Sequence, residues 1–209
     1  MKISSRHDYK NGHSVELLRS GESYFAAIGK AIDNAEHYIH FQTYIVDDDE
    51  TGRRIVNALI RSAERGIRVY FLLDAYGGGS FSKDLISKVE KSGILFRMFS
   101  PGLITRGFQL SLRLHHKVLL IDGDIAIIGG MNVANRYHGT PALKEWLDFA
   151  ILIKGPECAH VLLILKRLWN KAFISGKERS HEIVHHPAHY YDNVKVKVLQ
   201  NNWYRNKIE

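Results

Sequence analysis

A chain of 209 residues, 45% of them hydrophobic, has material for one large domain or two small ones with a buried core. Its lone cysteine, Cys158, excludes an intrachain disulfide framework, which makes a reducing cytoplasm the simplest compartment, and no apolar run approaches the ~18 residues of a bilayer span or the core of a secretory leader. The expectation is a soluble or peripheral protein whose formal charge of +7 calls for an anionic partner, either phospholipid headgroups or nucleic acid phosphates.

Strand-period and helix-period segments alternate through the first hundred residues, the pattern of an α/β sandwich. A strand is predicted at 14–19, then a helix whose face carries Phe25, Ile28 and Ile32, then a strand from Tyr38 to Val46. Ile55, Ala58, Leu59 and Ala63 make the next helical stripe, closed by Gly66, and residues 67–74 read as a strand buried on both faces. Phe81, Leu85 and Val89 continue the alternation to Gly93 and a further strand. Residues 100–112 show no period and read as a loop; Leu103, Ile104 and Phe108 beside Arg106 make it a candidate to face a membrane or cover a substrate.

Residues 113–121 and 124–130 are two β-rich runs that meet at Asp122-Gly123, a strong hairpin signal. A strand at 147–153 and an amphipathic helix from about 156 to 173 follow, with Leu162, Leu165, Trp169 and Phe173 as its core stripe and Cys158 as a packing residue at its start. Near the end, Val194 to Leu199 followed by polar residues repeats the pattern of Val15 to Leu18. The chain therefore divides into a domain at 1–193 and the possible first strand of a second repeat at 194–209.

The hairpin carries the chemistry. Alternation along a strand puts His115 and Lys117 on one face and turns His116 away. The return strand brings Gly129, Gly130 and Asn132 to the same level, the glycines permitting close backbone approach to a ligand and Asn132 offering an amide donor. An imidazole, an ammonium and an amide converging in this way suit a phosphate diester: lysine and asparagine hold the nonbridging oxygens while the imidazole attacks phosphorus or donates a proton. This chemistry requires no metal or cofactor.

The run His115-x-Lys117-x4-Asp122-x6-Gly129-Gly130-x-Asn132 resembles the signature of the phospholipase D superfamily at every defining position. Residues 41–52, 72–79, 129–139 and 146–148 are similar to segments that flank the first such motif in bacterial cardiolipin synthases. The resemblance implies a phospholipase D-like α/β sandwich with a mixed central sheet flanked by helices. It implies a phosphatidyltransferase that joins two phosphatidylglycerols through a phosphohistidine, with His115, Lys117 and Asp122 as catalytic residues. Lys117, Gly129, Gly130 and Asn132 would bind phosphate, and the role of Asp122 would be more structural or electrostatic. It also implies a peripheral position at the inner face of the cell membrane, and a second motif that meets the first across a cleft. The 209 residues hold no second H-x-K-x4-D run, so the partner half is expected from a longer chain or from a second copy of this one.

Two rival readings stand beside this one: a homodimeric nuclease or phosphodiesterase of the same superfamily, and an inactive half-domain that binds anionic membranes. Two other patterns are read as structure. His181-Glu182-x-x-His185 spells a zinc-binding helix, but Pro187 would interrupt it and the whole stretch is histidine-rich. The acidic run from Asp47 to Glu50 is accounted for by the N-terminus of the helix that follows.

Overall fold

The computed structural model describes residues 8–99, 113–171, 189–202 and 207–208. Three strands open the fold: the largely exposed β1 (Lys10–Arg19) and the buried β2 (Tyr38–Thr43) and β3 (Arg68–Asp74). Helix α1 (Ser20–Asp33) joins the first two, and α2 (Glu50–Glu64) makes the crossover that parallel β2 and β3 need. The Asp49 carboxylate caps α2 by accepting from Gly52 N at 2.9 Å, and Gly66, with φ at +88°, lets the chain turn out of it. A second crossover, α3 (Lys83–Lys91), leads to β4 (Leu95–Phe99), parallel to β3. The hairpin forms as β5 (Lys117–Ile121) and β6 (Ile125–Gly129), and β7 (Phe149–Lys154) follows the short α4 (Asn135–His138).

The strands form one mixed sheet in the order β4-β3-β2-β5-β6-β7-β1-β8, where β8 is Val194–Val196. Helices α1, α2 and α3 cover one face, sealing Phe25, Ile28, Ile32, Ile55, Leu59, Leu85 and Val89 against Phe41, Phe71 and Leu119. Helix α5 (Cys158–Lys171) covers the other with Leu162, Leu165 and Trp169. This is the expected α/β sandwich with a mixed sheet. Cys158 is buried at the start of α5, and burial pushes its thiol up to about 12, away from reactivity. Phe173 and the loop at 100–112 lie outside the described residues.

Against the sequence expectation β1 starts earlier, at Lys10, and β7 later, at Phe149, while the shifts at β2 and β5 each have a pairing reason. β2 stops at Thr43 because the next residues leave the sheet: Ile45 N donates to the Asn132 side chain, and Val46 bridges Val133. With β2 ended, β5 begins opposite it at Lys117, so His115 precedes the strand. β8 lies at the sheet edge, paired antiparallel to β1 through His13↔Val194 and Lys10↔Val196. Buried His13 accepts from Glu157 N at Nε2 (2.9 Å) and donates from Nδ1 to Val194 O (3.3 Å). Among the described residues no helix is long and apolar enough to cross a membrane.

Candidate active site

Because β5 runs antiparallel to β2 and β6, one edge of the sheet gathers the ends of β2, β3 and β6 and the starts of β5 and β7. Beside β2 the chain order switches, with β3 reached on one side and β5 on the other, the kind of switch point at which open α/β sheets bind ligands. Tyr44, His115, Lys117, Asn132 and Asp148 all emerge there.

His115 is exposed, and its ring lies 4.9 Å from that of Tyr44. The Lys117 ammonium sits 5.4 Å from the same tyrosine ring and donates to His115 O at 3.0 Å. One aromatic surface thus holds the two together, although His115 is off the strand that was expected to align them. Burial lowers the Lys117 pKa, with Asp148 pulling it back up. Half-buried His116 has its pKa lowered by burial and then by Lys117.

A buried carboxylate positions this segment. Asp74, at the end of β3, accepts from Leu114 N at 2.8 Å through one oxygen, and from Tyr76 N and Gly77 N at 2.9 and 3.0 Å through the other. The same group therefore anchors the residue before His115 and the turn against which Tyr44 packs. Gly77 has to be glycine here, since a Cβ would come within 2.2 Å of Tyr44 O and 2.8 Å of its ring.

The glycine pair serves neighbouring protein groups rather than an open approach to a ligand. A Cβ on Gly129 would meet Ala150 Cβ at 2.4 Å and Phe149 O at 2.7 Å, and one on Gly130 would meet the Asp148 carboxylate at 2.5 Å. Asn132 is buried: its Oδ1 accepts from Ile45 N at 3.2 Å, and its Nδ2 donates to Tyr137 Oη at 2.9 Å. Its amide thus orients the chain that carries Tyr44.

Asp122 is not part of this cluster. It sits just past the far end of β5, about 17 Å from Lys117 at the rise of an extended strand. There its carboxylate accepts from Glu36 N, His37 N and Tyr38 N at 2.9, 2.9 and 2.8 Å. The acidic run at 47–50 is likewise engaged with protein groups: Asp47 pairs with Arg136, Asp48 with Arg53 at 2.6 Å, and Asp49 with α2 and Asn135 N. The zinc-like stretch at 181–186 lies outside the described residues, and no metal-binding group of three or more His, Cys, Asp or Glu occurs among those described.

Sequence reasoning missed Tyr44, Asp74 and Asp148. Asp74 had a signal, a lone charge ending an otherwise apolar strand; Tyr44 and Asp148 had none apart from lying in segments that resemble the family's.

Comparison with known proteins agrees with this architecture. The family model described as "Cardiolipin synthase, PLD-like domain" matches residues 28–169. Cardiolipin synthase B of Shigella flexneri is 31% identical over 159 residues, covering 74% of this chain and 38% of its own. Cardiolipin synthase of Geobacillus kaustophilus (strain HTA426) is 32% identical over 166 residues, covering 78% and 33%. The chain thus spans between a third and two fifths of these relatives. Among solved structures, the phospholipase D family member Nuc of Salmonella typhimurium superposes with a TM-score of 0.58 at 24% identity, over 76% of this chain and 95% of that one. Phosphatidylserine synthase of Haemophilus influenzae Rd KW20 gives a TM-score of 0.58 at 20% identity, over 72% and 35%. At these identities the two structures speak for the fold alone.

Proposed function

This chain belongs to the phospholipase D superfamily, in the family of cardiolipin synthase domains, and on that premise we propose that it supplies one histidine half of a phosphatidyl-transfer site. His115 Nε2 attacks the phosphorus of phosphatidylglycerol, the bond from phosphorus to the glycerol oxygen breaks, and glycerol leaves with a proton from an acid on the other half of the site. The hydroxyl of a second phosphatidylglycerol then attacks phosphorus and gives up its proton to that same group, and the phosphorus–nitrogen bond breaks to release cardiolipin. Lys117, with the Asn132 amide behind it, stabilises the charge on the nonbridging oxygens. Asp122 acts through the fold, since its carboxylate is committed to the backbone ahead of β2.

The observation that carries this reading is the pairing of an exposed imidazole and a partly desolvated ammonium on one tyrosine ring, at the strand ends where the chain order switches. The missing acid and base come from a second motif, in a longer chain or a second copy of this one, so the active form works at an anionic membrane surface as a two-motif assembly. Incubation with phosphorus-labelled phosphatidylglycerol, quenched in alkali to preserve phosphohistidine, should label the chain and should not label His115→Asn. A rival reading draws on the single motif and the charge of +7: a homodimeric nuclease. DNA degradation abolished by His115→Asn, with no turnover of phosphatidylglycerol by the dimer or the longer protein, would replace transfer with that reading.

A further inference from the structure

Arg113 precedes the H-x-K run and has no part in the chemistry above. Its guanidinium stacks on Tyr76, with Cζ 4.6 Å from the ring centroid. Its Nη1 is shielded from solvent and has no hydrogen-bond partner among the described residues. A shielded guanidinium donor without an acceptor is unfavourable alone and becomes favourable when an anion arrives, because Arg presents a planar fork that matches phosphate.

The group is contiguous with the site. His115 N donates to Arg113 O at 3.1 Å, a tight turn that holds the two residues within about 7 Å along the chain. Tyr76 adjoins Gly77, on which the Tyr44 ring packs, and Tyr44 carries His115 and Lys117. The Tyr44 phenol has its pKa raised by burial and by Asp74, with Arg113 opposing, so the guanidinium lies within electrostatic reach of that ring. Two cations, Lys117 and Arg113, therefore flank one aromatic wall, and only Lys117 serves the phosphorus under attack.

We propose that Arg113, braced on Tyr76, is a second phosphodiester seat that holds the acceptor lipid's phosphate while the donor phosphorus is bound at His115. The acceptor role rests on the transfer reading above; the anion seat stands on the geometry alone. A glycerol esterified at one end to the seated phosphate carries its free hydroxyl a three-carbon span away, towards the phosphohistidine. Holding that hydroxyl there favours it over water by orientation. In the step itself the acceptor oxygen bonds to phosphorus, the bond to His115 breaks, and the hydroxyl proton passes to the acid–base group of the other half.

The test is a chemical-shift titration of this chain, and of the longer or dimeric active form, with glycerophosphoglycerol, the headgroup without acyl chains. Two sites are expected: Lys117→Met removes one, Arg113→Gln removes the other, and Arg113→Lys weakens the second by about tenfold through loss of the fork. Tyr76→Leu, at an exposed position, should also weaken the second site, and it serves if Arg113→Gln fails to fold. A single site in the parent, or two in both Arg113→Gln and Tyr76→Leu, overturns the seat. A parallel titration with inorganic phosphate separates the sources: tighter binding of phosphate than of the diester at the second site overturns the acceptor lipid as its ligand. Two sites without transfer in the active form would refute the transfer reading and leave the seat standing; transfer with one site would do the reverse.

Discussion

The two ends of β5 carry the two halves of one sequence motif and do opposite things with their polar groups. At the Lys117 end, the His115 ring is exposed, resting on Tyr44 with the ammonium beside it, and the wall continues to an arginine with an idle donor. At the Asp122 end, the carboxylate takes three backbone N–H groups, and the residue occupies the left-handed region at φ +51° to do so. A group saturated by its own protein has little left to offer a substrate, while groups that lack protein partners are poised to bind one. A motif that reads as one unit in the sequence is thus divided by the strand into an end with open polar groups and an end saturated by its own backbone.

The widest separation between the ends should appear in activity. His115→Asn is expected to lower phosphatidyl transfer by on the order of 10³-fold while leaving the unfolding free energy within about 0.5 kcal/mol of the parent. Asp122→Ala should do the converse, costing about 2 kcal/mol in urea denaturation, since three charge-assisted bonds are lost at a site where water can replace part of them. Transfer by the folded fraction should survive that change; a loss as deep as that of His115→Asn, at full foldedness, would break the comparison.

The glycines sharpen it further. Gly129→Ala forces a Cβ against the neighbouring strand, where the backbone cannot yield, and should cost about 1 to 3 kcal/mol. Gly130→Ala meets only a carboxylate that can swing aside, so about 1 kcal/mol is expected. Its signature is electrostatic: Asp148 raises the Lys117 pKa, and displacing it should let burial lower that pKa further, read by ammonium titration in NMR. The parent Lys117 should already lose its proton below the ordinary lysine range. Its folded-state pKa is depressed, so its burial penalty eases as pH rises through that value, and anion affinity falls over the same interval.

The sequence by itself determined what depends on neighbours along the chain. Apolar spacing in α1, α2 and α3, the left-handed Gly66 and the Asp122-Gly123 turn are local, and each formed where its pattern placed it. The spacing from His115 to Asn132 was legible as a hairpin motif, and the hairpin formed as β5 and β6. Tertiary structure decided the rest, because those outcomes turn on which distant segments meet. β2 ends at Thr43, so His115 falls off the strand and is aligned by Tyr44 instead of by strand alternation. β7 and the residue before it press Ala150 and Asp148 against the glycine pair and so give the glycines their use. Asp74 reaches across 40 positions to the backbone beside His115, and Asp122 reaches back more than 80 to the start of β2. A local pattern can say that a carboxylate is present; only the packed sheet decides whether it faces a substrate or its own backbone.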